Sequence, residues 1–160
     1  MEAQDKKVAL RAITYGLYVM TSRHGDLVGG GGVNWLTQAS FEPPLVAAAV
    51  RADSGLCATI TAGGTFAVNV LAEDQVEIAK AFFGSTELDG ERINGRSFTP
   101  GEETGAPILD EVPCWFECRV TDVVERGDHT VFVAEVVGAG VRDAEQAPLS
   151  LRSTGMSYGG

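Results

Sequence analysis

The chain has 160 residues and a formal net charge of −10, with 22 acidic residues against 12 Lys and Arg, a balance that repels a phosphate backbone and argues against a nucleic-acid partner. Hydrophobic residues make up 44% and charged residues 21%, too apolar for a disordered chain and sufficient for one domain with its own core. No apolar run approaches the roughly 20 residues needed to cross a bilayer, and the polar start Met1 to Lys7 does not read as a signal peptide, so a cytoplasmic protein with no membrane role is expected.

In chain order, Lys6 to Ala12 is a short helical candidate, and Ile13 to Ser22 (ITYGLYVMTS) carries the β-branched and aromatic residues of a strand. His24-Gly25-Asp26 supplies a turn. Leu27 to Leu36 returns as a second strand, although the run Gly29 to Gly32 weakens a strand and invites close approach of backbone or ligand. Thr37 to Pro44 (TQASFEPP) reads as a polar loop, and Leu45 to Arg51 as a continuous apolar strand.

Ser54 to Ala62 has helical spacing, with Ser54 as N-cap and Gly63-Gly64 as stop. Phe66 to Leu71 alternates as a strand. Ala72 to Phe83 reads as a helix with an acidic start, and Gly84 to Ala106 as a polar loop long enough to serve a binding or lid role. Cys114 to Val124 and Val131 to Val141 are two strands joined around Gly127-Asp128. Cys114 and Cys118 read as small buried side chains on one strand face, and three cysteines with no second half-site argue against a zinc centre. The pattern is mainly β, an antiparallel barrel with short inserted helices. No G-x-G-x-x-G follows the first strand, so a dinucleotide-binding sheet is not supported.

The order of ITYGLYVMTS, NWLTQASFEPPLVAAAV, Arg51-Ala52-Asp53-Ser54, FAVNVL and Gly127-Asp128-His129 resembles the flavin reductase family. Tyr15-Gly16 and the loop before Pro43-Pro44 are most similar to flavoredoxin-like members and to the flavoprotein part of high-molecular-weight rubredoxins. The resemblance implies a six-stranded antiparallel split β-barrel of Greek-key type and a homodimer with FMN at its interface. It also implies reduction by NADH or NADPH. Electrons would pass to an oxygenase or another acceptor or, in a carrier, to a rubredoxin-like partner; a non-catalytic flavin-binding module is a further alternative. The glycine run leaves space for FAD or another flavin.

A flavin needs donors for its phosphate and its polar ring edge, and an apolar wall. The segment Asn34, Trp35, Leu36, Thr37, Gln38 to Ser40 offers amides and hydroxyls, and polar turn chemistry is its bland alternative. Arg51 with Ser54 at a helix start suits a phosphate, Ala52 and Asp53 lie between them, and Thr59 follows on the helix. By resemblance, His129 sits near the flavin or the nicotinamide. Phe83 and Tyr158, the latter in the glycine-rich tail, are candidate ring walls.

Overall fold

The computed structural model describes residues 1–160. The chain opens with α1 (Ala3–Arg11), none of whose residues is buried. Then come β1 (Tyr18–His24), β2 (Leu27–Val33), β3 (Leu36–Ser40), β4 (Leu45–Arg51), α2 (Gly55–Gly63), β5 (Thr65–Val70) and α3 (Val76–Lys80). Four short strands follow, β6 (Leu88–Asp89), β7 (Arg92–Ile93), β8 (Arg96–Pro100) and β9 (Pro107–Leu109), before the long hairpin of β10 (Cys114–Glu125) and β11 (His129–Val141). A single 3-10 turn, Arg152–Thr154, precedes the C-terminal tail.

The main sheet is wholly antiparallel in the order β2-β1-β5-β10-β11-β4-β3. Its inner side chains, among them Met20, Val33, Ala48, Val50, Phe66 and Phe132, converge with Leu56, Cys57 and Ile60 of α2 on one core. Strand alternation sends Val19, next to Met20, to the other face. There it joins a second core with Leu17, Leu71, Ile78, Phe82, Ile93, Phe98, Leu149 and Leu151. β1 is thus buried on both sides, Thr21 and Ser22 included, and their hydroxyls donate to the carbonyls of Pro107 and Thr65, as buried polar groups must. The expected mainly β, antiparallel split-barrel architecture is borne out, and no helix is long and apolar enough to cross a membrane.

Several boundaries differ from expectation. The first strand begins at Tyr18, because before it Gly16 makes only an isolated bridge to Ser150. The expected polar loop from Thr37 is in fact β3, whose backbone pairs with β4 while Thr37 and Gln38 face solvent. This adds a seventh strand to the expected six. The turn begins only at Phe41. The helix expected over Ala72 to Phe83 shrinks to five residues, because the chain beyond it turns so that the Phe82 carbonyl accepts the Gly32 amide of edge strand β2 at 3.2 Å. The expected long loop contains β6, β7 and β8, which form a small antiparallel sheet with β9. Cys118 is buried as expected, whereas Cys114, on the same face, is only partly so. His129 is the first residue of β11 rather than a turn residue.

The glycine run forms an unbroken ladder with β1. A Cβ on Gly29 would lie 2.8 Å from the Leu56 Cα, and one on Gly31 would lie 3.2 Å from the Leu56 side chain. On the opposite face, Cβ atoms on Gly30 and Gly32 would meet the rings of Phe82 and Phe83 at 3.0 and 2.7 Å. The missing side chains let α2 and the Phe82-Phe83 turn close on β2 from both faces.

Candidate functional site

The N-terminus of α2, the end of β4, the outer edge of β2 and the tail enclose a cavity of about 590 Å³. Its walls include Gly30 to Asn34, Ala49 to Arg51, Ser54 to Leu56, Phe82 to Thr86, His129 and Met156 to Tyr158. The volume is that of a small-molecule site, which typically spans about 300–1,000 Å³. Among these residues Arg51 carries the only permanent charge.

Antiparallel pairing sets Arg51 opposite His129, so two of the candidate side chains, on different strands, become neighbours. Arg51 donates from Nε and one Nη to the carboxylate of Asp53, at 3.0 and 2.8 Å. The guanidinium holds the Asp53 carboxyl below its ordinary value, and both groups are solvent-exposed. One Nη remains without a partner. Ser54 caps α2: its hydroxyl donates to the Arg51 carbonyl at 2.7 Å and accepts the Cys57 amide at 3.1 Å. The first helical amides, Gly55 and Leu56, have no acceptor within the chain. Free amides at a helix start beside a guanidinium are donors for an anion.

His129 is held from both ends. Its Nδ1 lies 2.8 Å from Asp128 Oδ1 and its Nε2 lies 2.9 Å from the Tyr158 hydroxyl. The hydrogen bond from the imidazole, then its charge, lowers the Asp128 carboxyl below its usual range. In the neutral tautomer that donates Nδ1–H to Asp128, Nε2 accepts the phenol proton of Tyr158, whereas the charged ring would donate from both nitrogens. Trp35 packs against both partners, with ring centroids 4.5 Å from His129 and 5.2 Å from Tyr158.

Asn34 is 7% exposed, lines the cavity, and its Nδ2 has no hydrogen-bond partner. The indole Nε1 of Trp35 is likewise without an acceptor. A buried donor left unpaired costs about 1–3 kcal/mol, so such a group persists where it serves a ligand or a strained packing.

Six of the sequence-designated residues therefore line one cavity: Asn34, Arg51, Ser54, Phe83, His129 and Tyr158. Trp35 lies behind them against His129 and Tyr158. Asp53 engages Arg51, while Ala52 donates to the Asp128 carbonyl and lines a separate groove. Leu36, Thr37, Gln38 and Ser40 lie on β3, outside the cavity, because pairing with β4 carries them away from its mouth. Thr59 is buried within α2, donating to the Gly55 carbonyl and facing Gly29. Nothing in the residue pattern points to Thr86, whose hydroxyl accepts the Gly30 amide at 2.9 Å. Nor does it single out Met156 and Ser157 as wall residues beside Tyr158.

A family model described as "Flavin reductase like domain" matches residues 10–159. The chain is 33% identical over 133 residues to a putative diflavin flavoprotein A 1 of Nostoc sp., covering 82% of this chain and 23% of that protein. It spans about a quarter of the length of the diflavin flavoproteins it matches. Among solved structures, the NADH:FAD oxidoreductase of Streptomyces globisporus C-1027 superposes with a TM-score of 0.81 at 29% identity, covering 94% of this chain and 90% of that one. The styrene monooxygenase flavin reductase of Pseudomonas putida S12 gives 0.77 at 29% identity, covering 95% and 94%.

Proposed function

Since the chain belongs to the flavin reductase-like domain family, we propose that it is a cytoplasmic NAD(P)H-dependent flavin reductase that holds FMN, or FAD, in the cavity beside Arg51 and delivers reduced flavin to an oxygenase. The observation that carries this reading is the cavity itself, lined by Arg51, by Gly55 and Leu56 with their free amides, and by Asn34, whose buried side-chain amide is unpaired. These donors fit a flavin: Arg51 with the Gly55 and Leu56 amides would hold its phosphate, and Asn34 would donate to its ring edge. Ser54 contributes by fixing the helix start, its hydroxyl already being engaged there. The flavin supplies the ring that accepts a hydride from the nicotinamide.

The residues of this chain then bind, orient and exclude water. Phe82 and Phe83 form an apolar wall. Trp35, His129 and Tyr158 form an aromatic border, in which His129 Nε2 is engaged by the Tyr158 hydroxyl at the cavity's edge. No further acid or base is required, because proximity and orientation of the two cofactors carry the reaction. A homodimer in which a second copy completes the open side of the site belongs to the same proposal. The likeness to diflavin flavoproteins favours a second reading, an electron carrier with retained flavin that serves a rubredoxin-like partner.

Anaerobic titration of the FMN-loaded protein with NADH and NADPH separates the two. Stoichiometric loss of the oxidised-flavin absorbance is expected of a reductase. Flavin that stays oxidised with both nicotinamides, yet is reduced by a protein donor, overturns that reading in favour of the carrier.

A further inference from the structure

A second cleft, of about 270 Å³, lies between the tail and the segment that follows α1. It shares Leu151, Met156, Ser157 and Tyr158 with the larger cavity, so the two spaces are separated only by the tail. Two arginines, Arg11 and Arg152, line it, and no carboxylate does. In a chain with 22 acidic and 12 basic residues, two arginines without a counter-charge on one small cleft mark a place for an anion. Neither makes an ion pair. Arg11 donates from Nε to the Gly159 carbonyl at 3.0 Å, which leaves its two terminal nitrogens unspent, and Arg152 makes no side-chain hydrogen bond. Tyr15 and Ile13 add an aromatic and an aliphatic wall, Ile13 being half exposed.

We infer that this cleft binds the adenosine pyrophosphate half of a dinucleotide whose other half occupies the main cavity. The inference rests on the flavin reductase reading and extends it. Arginine forks match the planar, multiply charged pyrophosphate, and the Tyr15 and Ile13 walls match a purine. The volume is too small for a whole dinucleotide, and across the tail the cleft adjoins a cavity that would take the remainder. The same adenosine pyrophosphate occurs in FAD and in NADH, and mononucleotides lack it.

The test compares wild type with the double variant Arg11→Gln/Arg152→Gln and with Arg11→Lys/Arg152→Lys, which keeps both charges. Dissociation constants for FMN and FAD come from quenching of flavin fluorescence, and KM is measured for NADH and for reduced nicotinamide mononucleotide. The glutamine pair is expected to weaken FAD, or to raise KM for NADH, by about tenfold, as loss of charged hydrogen bonds predicts, while the matching mononucleotide stays within about twofold. The arm that moves names the dinucleotide, and the lysine pair restores most of the loss. Unchanged dinucleotide values, or an equal loss for the mononucleotide, overturn the inference. Should wild type bind no flavin, the reductase reading fails by itself. Calorimetric titration with ADP alone then decides the cleft, binding to wild type but not to the glutamine pair being required.

Discussion

Replacing Asn34 by Leu separates a ligand-facing amide from a structural one. The side chain is buried, of nearly the same length as leucine, and its Nδ2 has no partner. A structural asparagine would be hydrogen-bonded, and its removal would destabilise the fold. An orphaned donor instead carries an uncompensated desolvation cost of about 1–3 kcal/mol, which an apolar replacement of similar shape relieves. For a chain of this size each kcal/mol moves the melting temperature by roughly 2–4 °C. Asn34→Leu in the ligand-free protein is therefore expected to melt at or above the wild-type temperature, by calorimetry or circular dichroism. Its affinity for FMN, by fluorescence quenching, should fall by about five- to tenfold, as loss of one neutral hydrogen bond worth about 1 kcal/mol predicts. A variant that melts several degrees lower yet binds FMN unchanged would refute the assignment of Asn34 to the ligand.

Arg51→Ala is expected to weaken FMN by about tenfold and to leave riboflavin, which lacks the phosphate, unaffected, as measured by fluorescence quenching; equal losses would remove Arg51 from the phosphate site. Asp53 has a lowered folded-state value, so its contribution to stability is present above its ordinary value and lost as pH falls through the lowered one. Asp53→Asn should thus lower the melting temperature slightly at neutral pH, with the difference from wild type vanishing as pH falls below about 4, so that the acid limb is flatter. Gly29→Ala, whose new methyl would press on the Leu56 backbone at 2.8 Å, should cost about 1–3 kcal/mol in thermal or denaturant unfolding. Gly55→Ala, at an open helical position with nothing within 4 Å, should be neutral or stabilising, and equal effects of the two would refute the packing account. At pH 8, a thiol reagent should modify Cys114 alone in the native protein: Cys118 is buried with its thiol pushed up to about 12, and Cys57 is also buried. Rapid reaction of a second thiol, by mass spectrometry, would contradict the burial.

Much of the sheet was legible because its signals are local. Leu45 to Val50 is apolar throughout since β4 lies between β11 and β3, and Ser54 with Gly64 bounds α2 as cap and left-handed stop. β3 was not legible: its Thr37 and Gln38 face water, and only the partner strand, which local sequence does not contain, makes the segment a strand. α3 was read too long because the Phe82 carbonyl leaves the helix to satisfy the Gly32 amide, a long-range backbone demand that overrides helical spacing. The site shows the same division. Arg51, Ser54 and His129 stand out as residue types, but the cross-strand pairing of Arg51 with His129 and the closure of Tyr158 onto the imidazole are products of topology.

The glycine run shows how an absence of side chains builds the cavity. A sequence reading assigns its space to a ligand, whereas α2 and the phenylalanine pair occupy most of it from the two faces of β2. Their approach has a functional consequence. Leu56 packed against Gly31 fixes the start of α2 at the cavity, so Gly55 and Leu56, whose amides are free, line the same space as Asn34, which follows β2. Phe82 and Phe83 on the other face carry Gly84 to Thr86 to the cavity wall, and Thr86 bonds back to Gly30. Larger residues at 29 to 32 would push both walls outward and separate the donors. In the proposed site the run would thus act on ligand binding through the placement of α2 and the Phe82-Phe83 turn, and only secondarily through room for the ligand itself.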